Sequence, residues 1–336
     1  MSETTRPRYA YLGPAGTFTE AALRQVASPD EAEYLPQVDV VSAIESVRTG
    51  TADFAVVAIE STAEGGVTAT LDALAVGEPL VLLREVLVPV GFTLVGRPGI
   101  TLDQVRRVSA HPHAWVQCRA WLAAHLPDVV HVPATSNTAP AALIAEQAAA
   151  LEDAGLGASD VSPLADVLGP LGFDAALVPP AAVEHYGLPV LAEDVADNDH
   201  LVTRFVVVGR PGRLPAPTGA DKTSLVVHLP SNEAGALLDM LEQFSVRGVN
   251  LSRIESRPIG DSLGRYSFSI DAEGHIVEER MGEALMGLRR VCPHVRFLGS
   301  YPRADGVPAV VHVGTTDRDF VGARDWLSAL RDGRAS

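Results

Sequence analysis

From Arg8 to Arg210 the chain alternates short apolar runs with segments whose apolar residues recur at helical spacing, and that alternation decides what it can fold into. Arg8–Leu12 reads as a strand and Thr19–Val26 as a helix; Val40–Arg48 is helical and Phe54–Ile59 is a strand. Val67–Leu74 is a helix, Leu80–Val95 a long β-rich stretch, Arg107–Ala110 a strand and Trp115–Leu126 a helix. Val129–Val132, Asp174–Val178 and Phe205–Val208 read as strands, and Ala139–Ala149 and Ala181–Tyr186 as helices. Strands that alternate with helices predict an α/β fold with a mostly parallel sheet. Glu152–Gly172, rich in Gly, Asp and Pro, reads as an insertion or long surface loop.

Pro211, Pro215 and Pro217 interrupt the pattern, and residues 211–223 read as a linker. A second module follows over 224–301. Ser224–Leu229 alternates as a strand, Gly235–Val246 is a helix, and Leu251–Ser256 and Arg265–Ile270 are strands joined through Gly260 and Gly264. Glu278–Val291 is a helix and Val295–Leu298 a strand, a ferredoxin-like βαββαβ order. The module holds no nucleophile or acid–base pair, so a binding role is expected of it. Residues 302–336 form a tail in which Asp317–Leu330 reads as a short amphipathic helix.

Composition excludes several classes of function. The 336 residues carry 26 basic and 42 acidic side chains, a net charge of −16, with no basic stripe. Nucleic-acid or anionic-membrane binding is not expected of such a chain. No apolar stretch reaches the length of a membrane span, and Met1-Ser2-Glu3-Thr4-Thr5 does not open a signal peptide. Cys118 and Cys292 are too few for a disulfide framework, and the expected compartment is the cytoplasm. No metal or cofactor is expected: His111 and His113 lack partners at ligand spacing, and Gly13-x-x-Gly16 lacks the third glycine of a dinucleotide fingerprint.

An acidic protein that binds a small anion must do so with local donors. Three turns after strands share that chemistry: Gly13-Pro14-Ala15-Gly16-Thr17, Glu60-Ser61-Thr62-Ala63-Glu64-Gly65-Gly66 and Thr135-Ser136-Asn137-Thr138. Each reads as a helix start, where open backbone N–H groups and the helix dipole favour anions. Thr17…Glu20 and Ser61…Glu64 also fit the capping box, which needs no ligand. Thr203-Arg204-Phe205 adds a hydroxyl and a guanidinium where the last strand is expected to begin. A buried guanidinium demands a carboxylate or phosphate partner, whether a structural acid or a substrate. Together the turns and Arg204 suggest a pocket for a small molecule with more than one acidic group.

Residues 8–210 resemble the catalytic region of the prephenate dehydratases. The matching blocks are Tyr11 to Glu20, Gly66-Val67 with Thr70 to Leu74, Ser109-Ala110-His111-Pro112 with Gln117-Cys118, Tyr186-Gly187-Leu188 and Thr203-Arg204-Phe205. Residues 224–301 resemble an ACT regulatory domain, with Gly235-Ala236-Leu237 and Glu255-Ser256-Arg257-Pro258 matching blocks associated with phenylalanine binding. The chain departs from the family's pattern at Ser61, where Asn is usual, at Leu201, at Asn137-Thr138-Ala139 and at Ala234.

The resemblance implies a two-lobed, periplasmic-binding-protein-like catalytic domain with a cleft, followed by the ACT domain. It implies conversion of prephenate to phenylpyruvate, water and CO2, regulated by L-phenylalanine, in a homo-oligomer (dimer or tetramer). Thr203, Arg204 and Glu60 are then the catalytic candidates. Gly16, Thr17, Ser61, Thr62, Ser136, Asn137, Thr138 and Phe205 are the substrate-binding candidates. Asn232, Gly235, Ala236, Leu237, Glu255, Ser256, Arg257 and Pro258 are the candidates for the effector. Two other readings fit: a paralogue that acts on a prephenate analogue or decarboxylates without aromatising, and a noncatalytic small-molecule binding protein.

Overall fold

A computed structural model describes residues 6–153, 155, 172–259 and 266–334. Most of the expected insertion 152–172, and the Gly260–Gly264 connection, lie outside these described residues. Two compact units emerge. One gathers Val56–Val67 and Val86–Phe205 with the N-terminal residues up to Ser46; the other gathers Val47–Ala55, Thr68–Glu85 and the chain from Val206 on.

One sheet has the order β2-β1-β3-β11-β5, formed by Glu33–Gln37 (β2), Arg8–Leu12 (β1), Phe54–Ser61 (β3), Val202–Gly209 (β11) and Val81–Pro89 (β5). β1 and β2 run parallel. The two-residue β4 (Gly65–Gly66) folds back antiparallel on β3, pairing Glu60 with Gly66 and Ser61 with Gly65. A hairpin therefore stands where the sequence suggested a helix start, and helix α3 (Thr68–Ala75) begins only after it. β11 starts at Val202, so Thr203 and Arg204 lie within the strand and not at its entry. β2 escapes a pattern reading because EYLPQ holds only two apolar residues besides a proline. Pro36 is tolerated there because β2 is the edge strand.

A second sheet lies wholly in the first unit, in the order β10-β6-β9-β7-β8. Its strands are Thr93–Gly96 (β6), Arg107–Ala110 (β7), Val130–Pro133 (β8), Ala175–Val178 (β9) and Val190–Ala192 (β10). β7 is parallel to β8 and β9, whereas β6 pairs antiparallel with β9 and β10. The expectation of a mostly parallel sheet is thus corrected here to a mixed one. Successive side chains of a strand face opposite ways. Leu94, Ala175 and Leu177 pack on one face against Ala114, Cys118 and Leu122, while Val95, Ala176 and Val178 pack on the other against Ala141, Ile144 and Ala182.

Helices α4 (Pro112–Gln117) and α5 (Arg119–His125) replace the single helix expected from Trp115. The backbone leaves helical geometry at Cys118 (φ −117°, ψ 11°), and Asp197 accepts from the amides of Ala120 and Trp121 at 2.8 and 2.9 Å. These first-turn amides have no partner within a helix, so a distant carboxylate stabilises the restart.

The C-terminal module has the expected βαββαβ order: β12 (Asp221–His228), α8 (Ala236–Ser245), β13 (Leu251–Pro258), β14 (Tyr266–Glu273), α9 (Glu279–Val291) and β15 (His294–Pro302). Its antiparallel sheet runs β13-β14-β12-β15. Leu225, Val227, Phe268 and Ile270 face the two helices and bury Met240, Phe244, Met281 and Leu288. Elsewhere in the module Asp271 is fully buried and held by Ser224 Oγ at 2.5 Å and Arg253 Nε at 2.9 Å. A buried charge is tolerated only with such pairing. The tail helix α10 (Asp317–Arg331) starts in a Thr316/Asp319 capping box and pairs Arg324 with Glu279 at 2.6 Å. No helix of the described residues is long and apolar enough to cross a membrane.

Candidate active site

A cavity of about 730 Å³ opens in the first unit between turns of both sheets. One wall is Leu12, Gly13, Pro14, Thr17, Phe18 and Thr19 around the start of helix α1 (Phe18–Val26), with Pro36 and Gln37 at the end of β2 and Val38 just beyond it. The other is His111, Pro179 and the run Thr135 to Ala139, which leads into helix α6 (Ala139–Asp153). Two of the three turns singled out in the sequence thus meet around one space. Among the described residues its lining contains no lysine or arginine.

The α1 turn is a working cap. Thr17 Oγ1 accepts from the Glu20 amide at 3.3 Å and donates to the Leu12 carbonyl at 3.2 Å. Buried Glu20 accepts from the Gly16 amide at 2.5 Å and from Arg24 at 2.7 Å. The Gly16 amide is therefore taken by Glu20, and the anion contact expected of it gives way to a packing role. Gly16 has φ +81°, and a Cβ there would stand 3.0 Å from Cα of Ala182. Burial, aided by Glu20, pushes the Tyr11 hydroxyl up to about 12.

On the opposite wall Ser136 Oγ accepts from the Ala139 amide at 3.0 Å, and Thr138 is fully buried. Asn137 Oδ1 accepts from the His111 amide at 3.2 Å. That bond assigns the amide oxygen inward and leaves the Nδ2 group as the other end of the side chain. His111 caps α4, its Nδ1 accepting from the His113 amide at 3.3 Å. Burial, then neighbouring His113, lowers its pKa, with Glu64 opposing.

Thr203, Arg204, Phe205, Glu60, Ser61 and Thr62 do not line this cavity. They form a separate constellation in the same unit. The Thr62 amide donates to the Val202 carbonyl at 3.0 Å, and Thr62 Oγ1 accepts from the Val202 amide at 2.9 Å. These bonds clamp the β3–β4 hairpin to the start of β11. Arg204, 5% exposed, donates from Nη1 to Glu60 Oε2 at 3.2 Å. Ser61 Oγ accepts from the Ala63 amide, which shapes the turn. Thr203 is half-buried, and its hydroxyl has no hydrogen-bond partner among the described residues. Phe205 is buried core, 2% exposed, so its side chain anchors the strand and does not face a ligand.

The effector candidates fall at one end of the C-terminal sheet. Arg257 pairs with Ser267, which pairs in turn with His228, and the Ser231–Gly235 loop follows His228. Gly235 has φ +97° ahead of α8; Asn232 and Leu237 are exposed and Ala236 is buried. Glu255, Ser256, Arg257 and Pro258 lie on the edge strand β13.

Sequence reading missed Gln37 and Val38 for want of a strand signal before them, and His111 was not among its candidate site residues. Fold and cavity define an α/β protein with a pocket sized for a small molecule. A family model described as prephenate dehydratase matches residues 9–213. A prephenate dehydratase of Amycolatopsis methanolica is 44% identical over 331 residues, spanning 97% of this chain and 98% of the relative. The crystal structure of prephenate dehydratase from Arthrobacter aurescens in complex with L-Phe is 48% identical with a TM-score of 0.85, covering 97% of this chain and all of that one. The chain belongs to the prephenate dehydratase family.

Proposed function

We propose that the protein converts prephenate to phenylpyruvate, water and CO2 in phenylalanine biosynthesis. The observation that carries this reading is family membership along nearly the full chain, together with a half-buried Thr203 hydroxyl that has no hydrogen-bond partner among the described residues and precedes Arg204 of the Glu60–Arg204 pair in the chain. In the reaction the ring carboxylate leaves as CO2, its bonding electrons complete the aromatic ring, and the ring hydroxyl departs with one added proton as water. The protein must orient a dicarboxylate and supply a hydrogen bond to the departing oxygen. Thr203 provides that bond. Arg204, oriented by Glu60, holds a carboxylate. Thr17, Ser61, Thr62, Ser136, Asn137 and Thr138 shape the remainder of the site. Incubation of the purified protein with prephenate, followed by product identification, tests this: an aromatic product supports it, and a non-aromatic product or none refutes it.

Residues 8–210 then form the catalytic domain, 211–223 a linker and 224–301 an ACT domain that binds L-phenylalanine and regulates activity. Support comes from the βαββαβ order, from the gathering of Gly235 and Arg257 at one sheet end, and from the L-Phe complex of the Arthrobacter relative. β13 is an edge strand with exposed Ile254 and Ser256, a surface suited to a second copy, so the working form is a homo-oligomer. Two buried free cysteines suit a reducing compartment, the cytoplasm. Calorimetry with L-phenylalanine tests the effector, and sedimentation tests the assembly.

A further inference from the structure

We propose that His111 is a substrate-binding residue of the cavity, its Nε2–H donating to a carboxylate oxygen of the substrate. The proposal rests on the dehydratase reading and names a contact within that site.

His111 lines the cavity and is half-buried. Three bonds fix it: its amide donates to Asn137 Oδ1 at 3.2 Å, its carbonyl accepts from the Trp115 amide at 3.1 Å, and its Nδ1 accepts from the His113 amide at 3.3 Å. The ring also meets His113 edge-on, with centroids 4.8 Å apart at 90°. His113 Nδ1 in turn contacts Glu64 Oε1 of the β3–β4 hairpin.

A neutral imidazole has one N–H donor and one acceptor. Since Nδ1 accepts, the proton sits on Nε2. A doubly protonated ring would set Nδ1–H against the His113 amide. Burial and the neighbouring histidine keep the ring on the neutral side. The tautomer is thus set by the cap, and the nitrogen left over is a donor.

The cavity has need of one. The protein carries a net charge of −16, and among the described residues no lysine or arginine lines this space. An anion entering it must be met by neutral donors. The hydroxyl of Thr17 is committed to Leu12; the facing wall offers the Asn137 amide group and the His111 Nε2–H beside the hydroxyls of Thr135, Ser136 and Thr138.

Two variants separate this role from a capping role. His111→Asn keeps an acceptor for the His113 amide, since Asn is a favoured cap, but removes the Nε2–H. His111→Gln returns an N–H near the lost position and is the weaker cap. Steady-state kinetics with prephenate on the full chain, and the Tm of each protein, are the readouts. We expect His111→Asn to raise KM about tenfold, the factor set by about 1.4 kcal/mol, with kcat within about threefold and Tm nearly unchanged. His111→Gln restores KM to within about threefold of wild type.

A wild-type KM in His111→Asn overturns the proposal. So does an equal rise in both variants, or a collapse of Tm in both, which would make His111 a residue of the fold alone. Wild-type protein inactive on prephenate is a separate result: it overturns the dehydratase reading and, with it, this contact.

Discussion

Arg204 Nη1 stands 3.2 Å from Glu60 Oε2, although 144 positions separate the two residues in sequence. The guanidinium side chain is 6% exposed and the carboxylate 36%, so the pair bridges the strand interior and a more open edge. A buried guanidinium demands a partner, and here Glu60 near the end of β3 supplies one. The pair thus has two duties, a structural one toward the sheet and a proposed one toward the substrate.

Arg204→Lys tests the second duty. An ammonium keeps the charge but loses the planar fork that grips a carboxylate through two bonds. The expected outcome is a fall in kcat/KM of about tenfold or more, in a protein that still folds. Unchanged kinetics in a folded Arg204→Lys protein would leave Arg204 with its structural role only.

Thr203, which precedes Arg204 in the chain, is half-buried, and its hydroxyl has no partner among the described residues. Thr203→Ala should lower kcat sharply and KM little, because the hydrogen bond strengthens only as the carbon–oxygen bond breaks. Thr203→Ser should retain part of the activity. An alanine variant with wild-type kcat would remove Thr203 from the chemistry.

Much of this was legible in the chain because apolar periodicity reports which faces are buried. The βαββαβ module followed from alternation at Leu225 and Val227 and from the stripe of Met281, Ala284 and Leu288. β2 was not legible, since an edge strand of the sequence EYLPQ has too little burial to impose a pattern. The restart at Cys118 was invisible because Asp197, far along the chain, stabilises it. The Glu60–Ser61–Thr62 turn was misread as a helix start because Ser61…Glu64 mimics a capping box, while the hairpin depends on Val202. Local signals named the polar residues of the site; long-range bonds decided which of their donors stay open.

The two cysteines give a pH prediction. Burial pushes the Cys118 thiol up to about 12 and raises that of Cys292. An unfolded thiol ionises near pH 8.5. Above that pH the unfolded state loses its proton while the folded state keeps it, so stability falls as pH rises. The contribution is complete below about pH 8.5, and for Cys118 it is lost between there and about pH 12, by up to about 1.4 kcal/mol per pH unit. Urea midpoints between pH 7 and 10 should decline, and Cys118→Ala should flatten the decline. Neither thiol should react with a thiol reagent until denaturant is added; rapid labelling of the native protein would contradict the burial of both.

Arg257 ties the proposed effector strand to the helix that follows the Glu60–Thr62 hairpin. Its guanidinium meets Asp72 of α3 in a two-pronged contact of 3.2 and 2.9 Å and also reaches Thr68 at 3.2 Å. α3 begins two residues after β4, so a shift of β13 has a short route to the hairpin. The pair is partly solvated, at 32% and 55% exposed, so its loss should cost little stability, at most about 1 kcal/mol. Its proposed value lies in coupling, which for an effector typically amounts to about 1–3 kcal/mol. Asp72→Asn should fold and bind L-phenylalanine, because Asp72 is outside the effector blocks, yet respond less in activity to the bound effector. Arg257→Ala should lose the response as well, with some loss of binding. Activity titrated with L-phenylalanine, paired with calorimetry on the same proteins, checks both variants. A full response in Asp72→Asn would show that the signal takes another route.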